Sequence, residues 1–443
     1  MAKTYDTYKD CGIAWIGNIP SEWKTCRIKD TSLLYTGNSI KDEEKDFFQD
    51  MNEARPYIAT KDIDATYMSA NYNNGLYIKH TDCNFRIAPP SSTLMCIEGG
   101  SAGRKKAFID QEVSFVNKLC CFAPFEGVYG KYIYYFLCSP NFEDIFNSKI
   151  TGLIGGVNIP TLKNIECLLP SISEQKAIAT YLDEKCGEID SLISLQEEMI
   201  SELQAYKQSV ITEAVTKGRD PNVPMKDSGV EWIGILPKKW SNAKLKNIID
   251  YIESGVSVNA GIENVTSTDI GVLKTSSVSK NTFIPTECKK VFETELSRVS
   301  CPVKGNTIIV SRMNTPELVG ACGYVEKDYN NIFLPDRLWQ VHFQETVHVK
   351  YIYYCLVSKR VKSYFSSLSA GTSSSMQNIT QGQFQNTAIT LPPLSEQQAI
   401  ASYLDEKTSQ IDSLIAIKQE KITELKDYKK SIIYEYVTGK KKV

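Results

Sequence analysis

The residues that could do covalent or metal chemistry in this chain are poorly spaced for it. The three histidines, His80, His342 and His348, fall outside any zinc-ligand spacing, and the thirteen cysteines are scattered without a CxxC pair. With Cys120 and Cys121 adjacent and no regular spacing elsewhere, free thiols in a reducing cytoplasm are the simpler reading. A phosphate-cradling GxxxxGK[ST] loop is absent, because the glycines from Gly99 to Gly103 are not followed by Lys-Ser or Lys-Thr. Methyl transfer to an exocyclic amine needs an [ND]PP[YF]-like tetrapeptide, and the PP pairs within Ala88 to Ser91 and Leu391 to Leu394 lack the required groups. The expectation is a chain with no catalytic site, no structural metal and no cofactor of its own.

Clusters of Arg, Lys, Asn, Ser and Thr offer candidate contacts for a nucleic acid, should the chain bind one. Arginine forks suit guanine edges, Asn and Gln suit adenine, and Lys, Ser and Thr suit phosphates. Arg104, Lys105 and Lys106 lie beside flexible glycines, with Lys61, Asn117 and Lys118 at neighbouring predicted strand ends. Ser311, Arg312 and Asn314 form an equivalent loop further on, supported by Lys274 and Arg337. For each of these residues a solubilising surface is the plain alternative, as it is for Lys289, Lys290, Lys359, Arg360 and Lys362. The formal net charge of -2 means that any face attracting a polyanion must be a local concentration of cations. The stretches Gly152 to Val157 and Gly371 to Ser375 read equally as ligand-facing loops or as linkers.

The elements that position these residues come in two copies. LPSISEQKAIATYLDEK begins at Leu169 and LPPLSEQQAIASYLDEK at Leu391, and the similarity runs on for some fifty residues at an offset of 222. KDCGIAWIGNIPSEW from Lys9 is echoed by KDSGVEWIGILPKKW from Lys226, and KYIYYFLCS from Lys131 by KYIYYCLVS from Lys350. Between these frames, about 24 to 130 and 241 to 349, the halves diverge. Trp15, Trp23, Trp232 and Trp240 belong to the shared frame, so they read as core or docking aromatics.

Each SEQ motif predicts a helix start with Ser173 or Ser395 as N-cap. Beyond a break near Gly187, Ile189, Leu192, Ile193, Met199, Ile200, Leu203, Tyr206 and Val210 recur on one helical face, as do Ile411, Leu414, Ile415, Ile422, Leu425, Tyr428 and Ile432. About thirty residues rising about 1.5 Å each give a helix of about 45 Å. The cheapest partner for each such helix is the other copy, which predicts an antiparallel coiled coil and an internal pseudo-two-fold axis. Asp183, Glu184 and Asp405, Glu406 read as a solvated or partner-facing surface. The divergent stretches, rich in Thr, Val, Tyr and Phe between turn residues, predict short strands. The fold class is therefore α+β (mixed α/β). Polar MAKTYDTYKDCG opens the chain, no run approaches the roughly 20 apolar residues of a membrane helix, and a cytoplasmic protein without membrane contact is expected.

The tandem LPxxSEQxxIAxYLDEK with its following IDxLI and Tyr-Lys-x-Ser helix, each behind a variable module opening GxxWIGxxPxxW, resembles the specificity subunit of type I restriction-modification enzymes. The resemblance spans essentially the whole chain. It implies two pseudo-symmetric target recognition domains, residues 1–168 and 225–390, separated by repeat helices at 169–224 and 391–443. Each domain would read half of a bipartite, asymmetric double-stranded DNA site, and the helices would set the gap and dock two modification subunits. S-adenosylmethionine, ATP and Mg are implied on partner subunits, restriction subunits among them, and none on this chain. A coiled-coil scaffold whose modules bind proteins is the alternative from another class.

Overall fold

The computed structural model describes residues 4–152, 155–261, 263, 265–373 and 376–443. The chain forms two compact units, Met1–Glu198 with Lys418–Val443, and Met199–Ile417.

In the first unit, Ser32–Thr36, Leu119–Pro124, Ser92–Cys96 and Lys106–Ile109 lie side by side in that order as an antiparallel sheet. A second sheet runs Tyr77–Lys79, Ala54–Ile58, Val113–Phe115 and Ile87–Ala88, with Ala54–Ile58 and Val113–Phe115 parallel. The β-rich, largely apolar Ser92–Cys96 is buried along its whole length, as expected of a strand covered on both faces. The helix Gly130–Leu137 packs on this sheet so closely that a Cβ on Gly130 would lie 1.9 Å from the Ser91 carbonyl.

The second unit repeats the plan from dissimilar sequence. Ile249–Ser254, Leu338–Phe343, Thr307–Ser311 and Cys322–Val325 form the antiparallel sheet. Cys288–Lys290, Gly271–Leu273, Tyr329–Phe333 and Pro302–Val303 form the other, again with one parallel pair. Val349–Val357 and Lys359–Leu368 are its covering helices. One parallel pairing within otherwise antiparallel sheets, with helices packed alongside, is the α+β class expected.

The first long helix, Ile172–Lys217, passes through Gly187 without a break, and the second is Leu394–Val437. A mid-helix glycine costs only about 1 kcal/mol, which packing of the flanking Cys186 and Ile189 readily offsets. The helix starts also differ from expectation. Ser171 rather than Ser173 flanks the first, its hydroxyl oxygen 3.4 Å from the Glu174 N–H. At the second, the Pro393 carbonyl accepts from Glu396 and Gln397, leaving Ser395 inside the helix. Proline pre-sets the φ of a helical first turn, so the PP pair displaces the serine as the start signal.

Within each unit the two long helices run antiparallel. In the first, Tyr181 packs on Tyr436 with ring centroids 4.4 Å apart, Lys429 donates to Asp190 at 2.7 Å, and Ile189 and Ile193 bury against Ile432 and Ile433. In the second, Lys207 donates to Asp412 at 2.7 Å, the Arg219 guanidinium lies 5.5 Å from the Tyr403 ring centre, and Ile211 and Val215 share a core with Ile400 and Leu404. The apolar face is narrower than its periodicity suggested, since Leu192, Tyr206, Leu414 and Tyr428 are about half exposed.

The SEQ motif has a specific structural use. Gln175 accepts from the Tyr129 N–H at 2.8 Å and donates to the Pro170 carbonyl at 2.9 Å. Gln397 accepts from the His348 N–H at 2.9 Å and donates to Pro392 at 2.8 Å. Each glutamine thereby satisfies one otherwise unpaired backbone donor at the N-terminus of the covering helix and fastens it to the long helix. Asp183 accepts from Lys131 and Tyr135, and Asp405 from Lys350 and Tyr354, so these carboxylates are internal anchors rather than a free acidic surface. Trp23 and Trp240 are buried in the two cores. The Trp23 indole donates to Glu174, and Trp232 stacks on Tyr364 at 3.7 Å.

Candidate nucleic-acid interface

In the first unit the candidate loop joins the strands Ser92–Cys96 and Lys106–Ile109. Its bend relies on Gly99 and Gly103, both at positive φ, where glycine is free of the steric cost other residues meet. A Cβ at Gly103 would also lie 2.6 Å from the Phe146 ring. Arg104 is exposed, its guanidinium held by the Gly100 carbonyl at 2.6 Å. Lys105 reaches the Thr60 carbonyl at 2.9 Å, which brings this loop beside the turn carrying exposed Lys61. Asn117 and Lys118 are exposed on the adjoining turn, whose Lys118 carbonyl accepts from Ile97 at 3.1 Å.

Lys106 does not join this group. It is fully buried, pairs with Glu143 at 2.7 Å and sits 6.0 Å from the centre of the Phe142 ring. The strand has turned its side chain inward, so it cannot present a charge to a ligand without leaving its carboxylate behind.

Packed against the loop is the glycine-rich stretch flagged from sequence. Gly99 donates to Gly155 at 2.7 Å, Val157 to Ile97 at 3.0 Å, and Glu98 bridges Gly156. Leu153 and Ile154 lie outside the described residues. An open cavity of about 640 Å3 is lined by the hydrogen-bonding side chains of Thr36, Glu98, Asn117, Thr151 and Asn158, together with glycines and the apolar Ile97, Val157 and Ile159. Burial pushes the neighbouring Cys96 thiol up, so it stays protonated and contributes no charge.

The second unit arranges the matching position differently. Arg312 donates through Nε to the Asp336 carbonyl at 2.9 Å and through its backbone to Arg337 at 3.2 Å, so Arg312 and exposed Arg337 come together. Asn314 is half-buried, and its short strand Met313–Asn314 pairs with Met376–Asn378, which in turn pairs with Ala370–Ser373. Thus the second Gly- and Ser-rich stretch also folds onto the candidate loop, with Ser374 and Ser375 outside the described residues. Ser311 is fully buried at its strand end and faces no ligand. Lys274 lies 3.6 Å from Glu287 in a partly exposed ion pair. Sequence reasoning missed the strand that seats Asn314, including Gln377 opposite it, and the carbonyls that aim Arg312. The density of Gly, Ser and Thr was the available signal, but composition alone does not distinguish a linker from a paired hairpin.

Both sites therefore present forked, hydrogen-bonding donors on loops braced by a second loop, an arrangement that suits recognition of base edges and phosphates. Among the described residues no cluster of three or more His, Cys, Asp or Glu could hold a metal ion, and no helix is long and apolar enough to cross a membrane.

The family model for the type I restriction modification DNA specificity domain matches twice, at residues 20–205 and 237–427. The type I restriction enzyme MjaVIII specificity subunit of Methanocaldococcus jannaschii is 26% identical over 96% of this chain and 94% of its own length. The EcoKI specificity subunit of Escherichia coli is 22% identical over 90% of this chain and 84% of its own. A chain solved in work on complex assembly and conformational transition of the type I R-M system shares the fold, with a TM-score of 0.67 at 16% identity, covering 95% of this chain and 98% of that one. The chain accordingly belongs to the type I restriction-modification DNA specificity family, and its role there is DNA sequence recognition rather than catalysis.

Proposed function

We propose that the two modules read the two halves of a bipartite, asymmetric DNA site and so direct adenine methylation, and restriction where that subunit is present, by partner subunits. The observation that carries this reading is one fold plan presenting different donors at the same place: Arg104, Asn117 and Lys118 in one unit, Arg312, Asn314 and Arg337 in the other. A common frame with dissimilar contents is what two different half-sites require. Lys61, Lys105 and Lys274 would serve as phosphate contacts, with Lys106 and Ser311 left to the interior. On this reading residues 1–168 and 225–390 are the recognition domains, and 169–224 and 391–443 the spacer and docking segments, working in the cytoplasm.

The repeat supports two equivalent docking points for modification subunits. Leu192 and Leu195 are exposed on the first long helix, level with exposed Tyr428 on the second, given the Asp190–Lys429 pairing. Their counterparts one repeat away, Leu414, Ile417 and Tyr206, are likewise exposed. Half-exposed apolar side chains on a helix pair favour a helical partner. The partners would carry S-adenosylmethionine and, for restriction, ATP and Mg.

The test is genome-wide mapping of methylated adenine in cells expressing this chain with its methyltransferase subunit, against the methyltransferase subunit alone. A bipartite motif that depends on this chain supports the reading. A confirmed complex with no new motif would move the assignment to a protein-binding scaffold. Inserting one helical turn, about four residues, within Ile189 to Val210 should alter the gap and leave both half-sites unchanged.

A further inference from the structure

At the neck of the first unit, strand Lys24–Arg27 pairs antiparallel with Glu166–Leu169, and Cys26 stands directly opposite Cys167. The Ile28 N–H donates to the Ile165 carbonyl at 2.9 Å. Residues directly opposite each other in an antiparallel pair have Cα atoms about 4.5–5.5 Å apart. That separation lies within the span of a disulfide. The two sulfurs already meet at 3.2 Å.

The pair is also chemically polarised. Cys26 is half-buried and open to a small oxidant, while Cys167 is almost fully buried. The hydrogen bond from Cys167 holds the Cys26 thiol below its ordinary range against the opposing effects of burial and of Asp30. Cys26 is thus the sulfur that a small oxidant reaches first, and its thiolate is the attacking group. Two thiols alone do not make a metal site, and among the described residues no third ligand completes one. The equivalent ladder of the second unit sets Ala243 opposite Ile389, so the second unit has no thiol pair at that place.

We propose that Cys26 and Cys167 form a reversible disulfide under peroxide, stapling the entry of the first module to its exit. The Cys26 thiolate attacks one oxygen of hydrogen peroxide; the O–O bond breaks, and the departing hydroxide takes a proton to become water. The resulting sulfenic acid is attacked by the Cys167 sulfur, forming the S–S bond, while the Cys167 proton leaves with the hydroxyl as a second water. Two thiols are oxidised and one peroxide is reduced to two waters. A dithiol reductant reverses the step by exchange.

The consequence follows from position. Cys26 comes three residues after buried Trp23, and Cys167 five residues before the first long helix begins at Ile172. The cross-link closes the 141-residue separation that contains the first module's candidate loop, and so restricts the unfolded chain of that unit alone. Oxidation would stabilise one reading module and leave the other unchanged. This inference does not depend on which DNA sequence is read.

The experiment uses the full chain carrying Cys83→Ser, which removes an exposed thiol able to link molecules. After hydrogen peroxide, a non-reducing digest should yield a Cys26–Cys167 linked peptide two hydrogens lighter than its parts. The protein should show two fewer titratable thiols and a higher melting temperature in one of two transitions. Dithiothreitol should reverse all three, and Cys26→Ser or Cys167→Ala should abolish them. Should either variant fail to fold, alkylation of the parent over graded peroxide decides: Cys26 and Cys167 must lose reactivity in parallel. Accumulation of sulfinic acid on Cys26 with Cys167 still alkylated would overturn the proposal, as would a linked peptide with no change in melting.

Discussion

Replacing Glu143 by Gln separates a structural lysine from a DNA-binding one. Lys106 is fully buried and its Nζ lies 2.7 Å from the Glu143 carboxylate, which keeps 26% of its side chain exposed. Removing one partner of a buried pair strands the other charge, at a cost of about 3–5 kcal/mol. Because Glu143 retains some contact with water, the lower end applies, about 3 kcal/mol. For a unit of this size each kcal/mol moves the midpoint by about 2–4 °C, so Glu143→Gln should lower the first unit's melting by about 6–12 °C. The double replacement Lys106→Met with Glu143→Leu removes both charges and should recover most of that loss, since apolar isosteres of a buried pair are often neutral or better. Calorimetry of the three proteins reads stability, and salt-dependent DNA binding reads charge. The double variant should bind DNA with an unchanged slope of log affinity against log salt. If Glu143→Gln leaves melting unchanged and loss of Lys106 lowers that slope by about 0.9, the value of one phosphate contact, Lys106 is a DNA ligand and the structural reasoning fails.

Three further outcomes are expected. Arg104→Ala and Arg312→Ala should leave both melting transitions in place while weakening site-specific binding by about 1–3 kcal/mol each, measured by titration of methylated-site oligonucleotides; each should relax only its own half of the motif, and loss at both halves from one change would contradict separate readers. Gly103→Ala should destabilise the first unit, since its φ of +73° and the Phe146 ring 2.6 Å from a new Cβ both oppose it, whereas Gly100→Ala meets nothing within 4 Å and should fold as the parent does; equal melting temperatures would refute this contrast. Burial, helped by Lys350 and opposed by Asp405, holds the His348 imidazole below its ordinary value of 6.5. The unfolded chain then binds more protons in the window just below that value, so the stability His348 contributes is present above it and is lost as pH falls. Melting of the second unit between about pH 8 and pH 5 should show that decline, and His348→Gln should flatten it.

The sequence made the frame readable because the frame is repeated. Two copies of SEQ followed by apolar residues at helical spacing announced the long helices, and the paired tryptophans announced their cores. The role of the glutamine itself was hidden, since Gln175 meets Tyr129 across 46 residues of chain and no periodicity reports such a contact. Lys106 was misread for a related reason. As the first residue of its strand it looks like the end of a basic loop, and only the arrival of Glu143 from a helix 37 residues later shows that its charge is internal. At the second helix start the serine capping rule competed with a proline signal immediately upstream, and at the first the serine that flanks the helix is Ser171, two residues before the expected one.

One frame tolerates two contents. Lys106 opens its strand and Glu143 is the fourth residue of its helix; the matching places in the second unit hold Cys322 and Lys362. There the Cys322 thiol is pushed up to about 12 by burial, and burial draws the Lys362 ammonium down, so the position is filled by a neutral thiol and a lysine that is half-withdrawn from water. The interior beneath each candidate loop has therefore been rebuilt along with the loop. The bonds that hold the module to the long helix have not, and the reason is physical: Gln175 and Gln397 bond to backbone N–H and C=O groups. Every residue but proline offers the first, and every residue offers the second. A module fastened through its backbone can exchange the side chains on its loops without losing its seat.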